Sequence, residues 1–107
     1  MRIHLKPLSV NQVWRGKRFK TKKYKSYERD LMLLLPKLKI EFKGNLKAEM
    51  VFGFSSPLSD IDNPLKPLID VLQKKYNFDD KQITELNVKK EIVKKGNEFI
   101  DIKITQI

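Results

Sequence analysis

Apolar and polar residues alternate along one segment of the chain, LKAEMVFGF, at positions 46–54. A period of two places successive side chains on opposite faces, so this pattern predicts an amphipathic β-strand with one buried face. A second alternation predicts a similar strand near the end of the chain, with Ile100, Ile102 and Ile104 turned inward. The inward residues of the first strand are Leu46, Ala48, Met50, Phe52 and Phe54.

Two other segments carry apolar residues at the spacing of an α-helix. The first helix is predicted to start with Ser26 as its N-cap, and Pro36 ends or kinks it. Glu28 and Asp30 then fall in its first turn, where the helix dipole favours acids. The second helix starts near Pro64, with Asp62 or Asn63 as its cap. The apolar positions are Tyr27, Leu31, Leu34, Leu35 and Leu38 in the first helix, and Leu65, Leu68, Ile69, Leu72 and Tyr76 in the second.

The remaining segments complete the predicted topology. Ile3 and Leu5 mark a short first strand, and a long loop with a brief hairpin around Gly16 follows. Residues 83–93 form a third strand, and KKGN at 94–97 is the turn of a β-hairpin that joins it to the last strand. The order strand, loop, helix, strand, helix, strand, strand predicts one α+β domain, residues 1–107, with two helices on one face of a mixed β-sheet.

The distribution of charge indicates a polyanionic partner. The chain has 23 Lys and Arg against 13 Asp and Glu, a net charge of +10. Such a field attracts nucleic acid, and phosphate contacts supply affinity through counterion release. The alternatives are a solvated basic loop and, less favoured, an anionic membrane surface. The densest basic stretch, RGKRFKTKKYK, supplies the candidate DNA-binding residues Arg15, Lys17, Arg18, Lys20, Lys22, Lys23 and Lys25.

Composition excludes several other classes of function. The chain has no cysteine, which excludes disulfides and thiolate metal sites and fits a reducing compartment. No apolar run approaches the length of a membrane span, and no glycine-rich phosphate loop indicates a nucleotide cofactor. We therefore expect a cytoplasmic protein that associates with the nucleoid and not with a membrane.

Acidic residues are concentrated in the segment PLSDIDNPLKPLIDVL, at 57–72. In an extended backbone Asp60 and Asp62 point to the same side. Helix capping by Asp62 or Asn63 explains part of this pattern, but it does not explain Asp60. Two neighbouring carboxylates repel each other unless a cation lies between them, and an oxygen-only ligand set suits Mg²⁺ or Mn²⁺. A hard cation here would equip the chain for phosphodiester hydrolysis.

A lysine and a second acidic pair extend this candidate site. Lys66, one helical turn after Asp62, can bind a scissile phosphate or stabilise the leaving oxygen. A third metal ligand is expected from Asp79 or Asp80. The intervening helix is about 18 Å long, and the residues that follow it can return at most about 14 Å. The shortfall is small, and carboxylates that share an ion need not have adjacent backbones. We therefore expect a site within one chain if that loop doubles straight back, with a site shared across a dimer as the alternative.

The two motifs together resemble the RusA family of Holliday-junction resolvases, small endodeoxyribonucleases common in phages and prophages. The family pattern D-x-D-N-x-x-K, an apolar helix and D-D-x-Q-I or V is present from Asp60 to Ile83. One departure is KKYNF at 74–78, where relatives usually have a glycine-containing turn. The resemblance implies a mixed α/β fold and a homodimer that binds four-way DNA junctions. It implies paired, Mg²⁺-dependent cuts in opposing strands during recombination and repair, with Mn²⁺ able to substitute.

Carried over by position, the resemblance assigns catalytic roles to Asp60, Asp62, Lys66 and Asp80, with the three aspartates as metal ligands. Three alternatives stay open. The first is a non-catalytic basic nucleic-acid-binding module. The second is a domain with a purely structural divalent ion, and the third is a nuclease for forks, flaps or D-loops.

Overall fold

The alternating segment forms the central strand of a four-stranded mixed sheet in a computed structural model that describes residues 1–16, 19–38 and 41–107. This strand, β4, spans Leu46–Phe54. Its inward-facing side chains Leu46, Ala48, Met50 and Phe52 are buried, as the alternation predicts, and Phe54 is half-buried at the end of the strand. Buried residues of both helices and of the sheet form one core with them.

The strand order is β1, β6, β4, β5. Strand β1 is Arg2–Ile3, β5 is Ile83–Ile92 and β6 is Phe99–Gln106. β6 runs antiparallel to both β1 and β4, whereas β5 runs parallel to β4 on its other side. The predicted hairpin between the third and last strands is therefore wrong, because β4 lies between them. The turn at 94–97 exists, but it carries the chain across the end of β4.

Burial explains this choice of neighbours. Ile100 and Ile102 of β6 are almost fully buried, so β6 takes an interior place in the sheet. β5 is mostly exposed along its length, which suits an edge strand. The connection from β4 to β5 passes through a helix, as parallel neighbours require.

The first helix, α1, spans Lys22–Leu34 and starts more than one turn earlier than the periodicity predicts. Its N-cap is Thr21 and not Ser26, and the Thr21 hydroxyl accepts a hydrogen bond from the Tyr24 N–H at 3.1 Å. Tyr24 is buried, which shows that the basic run already belongs to the helix. Glu28 consequently lies beyond the first turn and pairs with Lys74 of the second helix at 2.8 Å. Asp30, also expected in that turn, instead pairs with its neighbour Arg29.

The second helix, α2, spans Leu65–Tyr76. Its N-cap is Pro64, which makes no side-chain capping bond, so the expected capping by Asp62 or Asn63 is wrong. Pro67 lies in the first turn, where it breaks no helical hydrogen bond. The inner face of α2 buries Leu68, Val71 and Leu72 against the sheet.

A two-stranded ribbon precedes α1. Strand β2, Trp14–Arg15, pairs antiparallel with β3, Phe19–Lys20, and Gly16 has a φ of +69° at the turn. The hairpin predicted around Gly16 is confirmed. Two of the predicted DNA-binding residues, Lys17 and Arg18, lie outside the described residues.

On the sheet face opposite the helices, Gly53 of β4 lies beside Phe99 of β6. A Cβ on Gly53 would be 2.3 Å from the ring of Phe99. The guanidinium of Arg2 stacks on the same ring at 3.9 Å. The glycine therefore makes room for an aromatic ring that covers the strand backbone.

No helix in the described part of the chain is long and apolar enough to span a membrane.

Candidate active site

The loop between β4 and α2 presents both aspartates of the first motif. Asp60 and Asp62 are exposed, and the side-chain amide of Asn63 donates a hydrogen bond to Asp60 at 3.4 Å. Lys90 of β5 fixes the start of the loop, because its ammonium donates to the carbonyl oxygens of Ser59 at 2.9 Å and Pro57 at 3.4 Å. The start of the acidic loop is therefore tied to Lys90, whose β4 neighbour Phe52 is on the face that packs in the core.

The basic ribbon is attached to the same loop. The N–H of Val10 donates to the carbonyl of Asn63 at 2.8 Å, and the N–H of Thr21 donates to the carbonyl of Val13 at 2.9 Å. A single short segment, residues 9–13, thus joins the acidic loop to the start of α1. A cavity of about 160 Å³ lies between this segment and the acidic loop, and Gln12 and Asp60 are among its lining residues.

Basic residues of the stretch 15–25 line an open groove. This groove has a volume of about 620 Å³, and Phe19 beside it is 71% exposed. The ammonium of Lys20 lies over the rings of Trp14 and Tyr24, at 4.6 and 4.2 Å from their centroids. Positively charged side chains next to an exposed aromatic ring are typical of nucleic-acid-binding surfaces. Four predicted DNA-binding residues line this groove, namely Arg15, Lys20, Lys22 and Lys25, and Lys23 is exposed on the same helical turn.

Lys66 lies in the first turn of α2 and is held by an acid one turn further on. Its ammonium is 2.6 Å from a carboxylate oxygen of Asp70. This hydrogen bond is the main cause that raises the pKa of Lys66, and the negative charge of Asp80 acts in the same direction. Lys66 is a cation at neutral pH in any case, and its contact with Asp70 orients the ammonium.

The second acidic pair lies at the start of a short 3-10 turn, Asp80–Gln82. Asp79 is the N-cap of this turn, and Asp80 is its first residue. The carboxylate of Asp79 accepts the Lys81 N–H at 2.9 Å, which is the main cause that lowers the pKa of Asp79. Asp79 is thereby engaged as the cap of its own turn. This difference favours Asp80 as the member of the pair that serves the site.

Two glutamines hold the backbone of this pair. The Asp80 N–H donates to the side-chain oxygen of Gln73 on α2, and the Asp79 N–H donates to that of Gln82, both at 2.9 Å. The amide nitrogen of Gln82 also donates to the carbonyls of Phe42 and Gly44, at 3.1 and 3.0 Å. Sequence reasoning missed Gln73 and gave Gln82 no role, although Gln82 is part of the quoted motif.

The three predicted metal ligands do not form one cluster in this single chain. Asp60 and Asp62 precede α2, whereas Asp80 follows it. Among the described residues, no group of three His, Cys, Asp or Glu side chains is close enough to hold a metal ion. The assignment of Asp60, Asp62 and Asp80 as ligands of one ion therefore stays a prediction. The negative charge of Asp80 nevertheless contributes to the raised pKa of Lys66.

Comparison with known proteins identifies the family. A family model described as endodeoxyribonuclease RusA matches residues 8–105 of the 107-residue chain. The chain belongs to the RusA family. The resemblance drawn from the two acidic motifs is confirmed, and the RusA description makes the chain an endodeoxyribonuclease whose substrate is DNA. No curated protein matches the chain.

Proposed function

We propose that this RusA-family chain is a metal-dependent resolvase that makes paired cuts in opposing strands of a four-way DNA junction. The observation that carries the proposal is the family match over residues 8–105, which includes both acidic motifs. The structure supports it because residues 9–13 are hydrogen-bonded both to Asn63 of the acidic loop and to Thr21, the cap of the basic helix. We place its work in the cytoplasm, at the nucleoid, in recombination and repair.

Asp60, Asp62 and Asp80 are the residues that would hold Mg²⁺, with Mn²⁺ as a substitute. They offer only carboxylate oxygens on an exposed surface, and this donor set fits a hard divalent cation. A bound ion of this kind neutralises charge on phosphate and makes water more acidic. Since no three such carboxylates are already close together among the described residues, a shared ion would require Asp80 and the acidic loop of one chain to approach each other, or the acids of two chains to combine.

Lys66 would neutralise the scissile phosphate. A lysine ammonium is protonated at the pH of the cell, and the hydrogen bond to Asp70 raises its pKa further. Asp70 also holds the long side chain in one orientation before substrate arrives. A preorganised cation contributes most where negative charge develops in the transition state.

The basic groove would bind the arms of the junction through phosphate contacts. Replacing Lys22, Lys23 and Lys25 together should weaken binding and reduce the salt dependence of log K by roughly one unit per lost contact. The measurement is a titration of labelled junction at several salt concentrations. A triple substitution at the exposed lysines Lys94, Lys95 and Lys103, on other parts of the surface, is the matched control. An unchanged slope in the first variant would show that α1 does not face DNA.

The decisive experiment compares a synthetic four-way junction with a matched linear duplex, in Mg²⁺ and in EDTA. We expect metal-dependent paired nicks in the junction alone. Asp60→Asn and Asp80→Asn should lose cleavage and keep or tighten binding, because a carboxylate that repels phosphate is removed. Asp79→Asn should keep cleavage, since asparagine also caps the turn.

Each alternative has its own outcome in this assay. Cleavage of forks or flaps in preference to four-way junctions would show that the substrate is another kind of branched DNA. Tight binding without cleavage in any divalent metal would favour a non-catalytic module. Cleavage retained by Asp60→Asn would refute the assignment of the metal ligands.

A further inference from the structure

The side chain of Gln73 joins α2 to the turn that carries the second acidic pair. Its oxygen accepts a hydrogen bond from the Asp80 N–H at 2.9 Å, and the bond reaches past the end of the helix. The backbone carbonyl of Gln73 also accepts the N–H of Asn77, the left-handed C-cap of α2, at 2.9 Å. One helical residue therefore holds both the end of α2 and the first residue of the turn.

The other glutamine of this region makes a different kind of attachment. Gln82 accepts the Asp79 N–H within the turn itself, as part of a capping box. Its amide nitrogen then donates to the carbonyls of Phe42 and Gly44, so it fastens the turn to an earlier loop. None of these bonds reaches α2. Gln82 thus shapes the turn, whereas Gln73 sets the place of the turn relative to the helix.

Gln73 shares a face of α2 with the lysine of the first motif. Lys66, Asp70 and Gln73 have the spacing i, i+4, i+7, which places side chains on one side of a helix. Lys66 and Asp70 are joined by their ion pair at 2.6 Å. This face therefore carries the candidate phosphate-binding cation at one end and the attachment of Asp80 at the other.

The bond engages the backbone of Asp80 and leaves its side chain exposed. A carboxylate that is to bind a metal ion needs this combination, since its oxygens must stay free while the residue that carries them is held. Groups that hold a metal ligand in place commonly change metal affinity or activity by about 10–100-fold when they are replaced.

We infer that Gln73 is a positioning residue, which holds Asp80 against α2 so that its carboxylate is in place for the divalent cation. The inference rests on the proposed function, because it gives Gln73 a role in metal binding. Loss of the bond should leave the chain folded, since Phe78 beside the turn is buried and packs edge-to-face on Phe42 at 5.9 Å. Asp80 would then occupy a wider range of positions and bind the cation more weakly.

Two substitutions at one position separate the acceptor from the rest of the side chain. Gln73→Leu removes the acceptor oxygen, whereas Gln73→Glu keeps an oxygen at the same distance along the side chain. Leu, Glu and Gln have similar helix propensities, so neither change should disturb α2 itself. Gln82→Ala is the matched control, because it removes the glutamine that holds Asp79 and leaves the bond between Gln73 and Asp80.

Amide hydrogen exchange, followed by NMR, tests the bond in the absence of metal and DNA. In Gln73→Leu the Asp80 N–H should exchange about fivefold faster than in the parent, while the Asp79 N–H keeps its rate. Gln73→Glu should keep the protection of the Asp80 N–H. In Gln82→Ala the Asp79 N–H should be the one that exchanges faster.

The Mg²⁺ dependence of junction cleavage tests the role. In Gln73→Leu the Mg²⁺ concentration for half the maximal rate should rise about tenfold, with a smaller change in the rate at saturating Mg²⁺. Gln73→Glu should need no more Mg²⁺ than the parent. Gln82→Ala, measured at a temperature at which it is folded, should also keep the requirement of the parent, because a loss of stability alone lowers the folded fraction and not the metal affinity.

The outcomes separate this inference from the proposed function. Unchanged exchange of the Asp80 N–H in Gln73→Leu would show that the bond does not hold the turn, and would overturn the inference. Faster exchange with an unchanged Mg²⁺ requirement would make the bond purely structural and overturn it as well. In both cases a parent that cuts junctions remains a resolvase. A parent that cuts no junction in Mg²⁺ would refute the resolvase, and the role of Gln73 with it.

Discussion

Replacement of Gln82 by alanine should destabilise the fold out of proportion to the exposure of this residue. Its side chain accepts one hydrogen bond, from the Asp79 N–H, and donates two, to the carbonyls of Phe42 and Gly44. A net contribution of about 0.5–1.5 kcal/mol for each bond gives a range of about 1.5–4.5 kcal/mol. Because water partly reaches these groups, we expect a loss near the lower end, about 2 kcal/mol.

Urea unfolding followed by circular dichroism measures this loss. The midpoint should fall while the slope stays constant, since the same surface is exposed on unfolding. In a thermal scan, a loss of about 2 kcal/mol corresponds to a shift of roughly 8–16 °C for a domain of about this size. Lys81→Ala is the matched control, because only the backbone N–H of Lys81 bonds to Asp79.

A second substitution separates the donors from the acceptor. Gln82→Glu keeps the bond from Asp79 but turns a carboxylate oxygen towards two carbonyl oxygens, so it should be at least as destabilising as alanine. A loss below about 0.5 kcal/mol in Gln82→Ala, or a glutamate variant as stable as the parent, would refute the reasoning.

Three further predictions concern the helices. Thr21→Ala removes the cap of α1 and should cost about 1 kcal/mol in urea unfolding, while Ser26→Ala should cost little. Leu72→Ala, at a fully buried position of α2, should cost about 2–5 kcal/mol; a loss below 1 kcal/mol would mean that the helix is not packed as described. The Lys74 ammonium lowers the pKa of Glu28 below its ordinary value of 4.5 through their hydrogen bond. The stability this gives is present above pH 4.5 and lost as the pH falls through the lowered pKa, so the parent should lose its advantage over Glu28→Gln between about pH 5 and pH 3. An advantage that is the same at both pH values would argue against this ion pair.

The strongest periodic patterns predicted their elements well. The alternation from Leu46 to Phe52 identified the central strand, because one face of that strand is buried along its whole length. The helical spacing of Leu68 and Leu72 identified α2 for the same reason. An element with one buried apolar face has apolar residues at a regular spacing, and this spacing can be recognised in the sequence.

The errors arose where local signals competed with distant contacts. Tyr24 is buried within a basic run, and its lysine neighbours hid the start of α1. The turn at 94–97 indicated a hairpin between β5 and β6. The order of strands depends instead on which strand takes an interior place in the sheet, and β6 takes it between β1 and β4. The polar character of β5, with charges at Glu85, Lys89 and Glu91, was the available sign that it belongs at an edge.

The site followed the same division. The motifs made Asp60, Asp62, Lys66 and Asp80 the candidates, because the proposed chemistry depends on residue type and spacing. The bonds from backbone N–H groups to Gln73 and Gln82 could not be read from spacing, since each joins segments that meet only in the folded chain.

The contact between Gly53 and Phe99 has an evolutionary consequence. Because the ring occupies the space of a Cβ at position 53, the two positions can change only together. Related sequences that keep an aromatic residue at position 99 should keep glycine at 53, and larger residues should be admitted at 53 only where 99 has become small. The cation of Arg2, which covers the outer side of the ring, should disappear in those same lineages. This coupled substitution would be a record of sheet packing that is independent of selection on DNA cleavage.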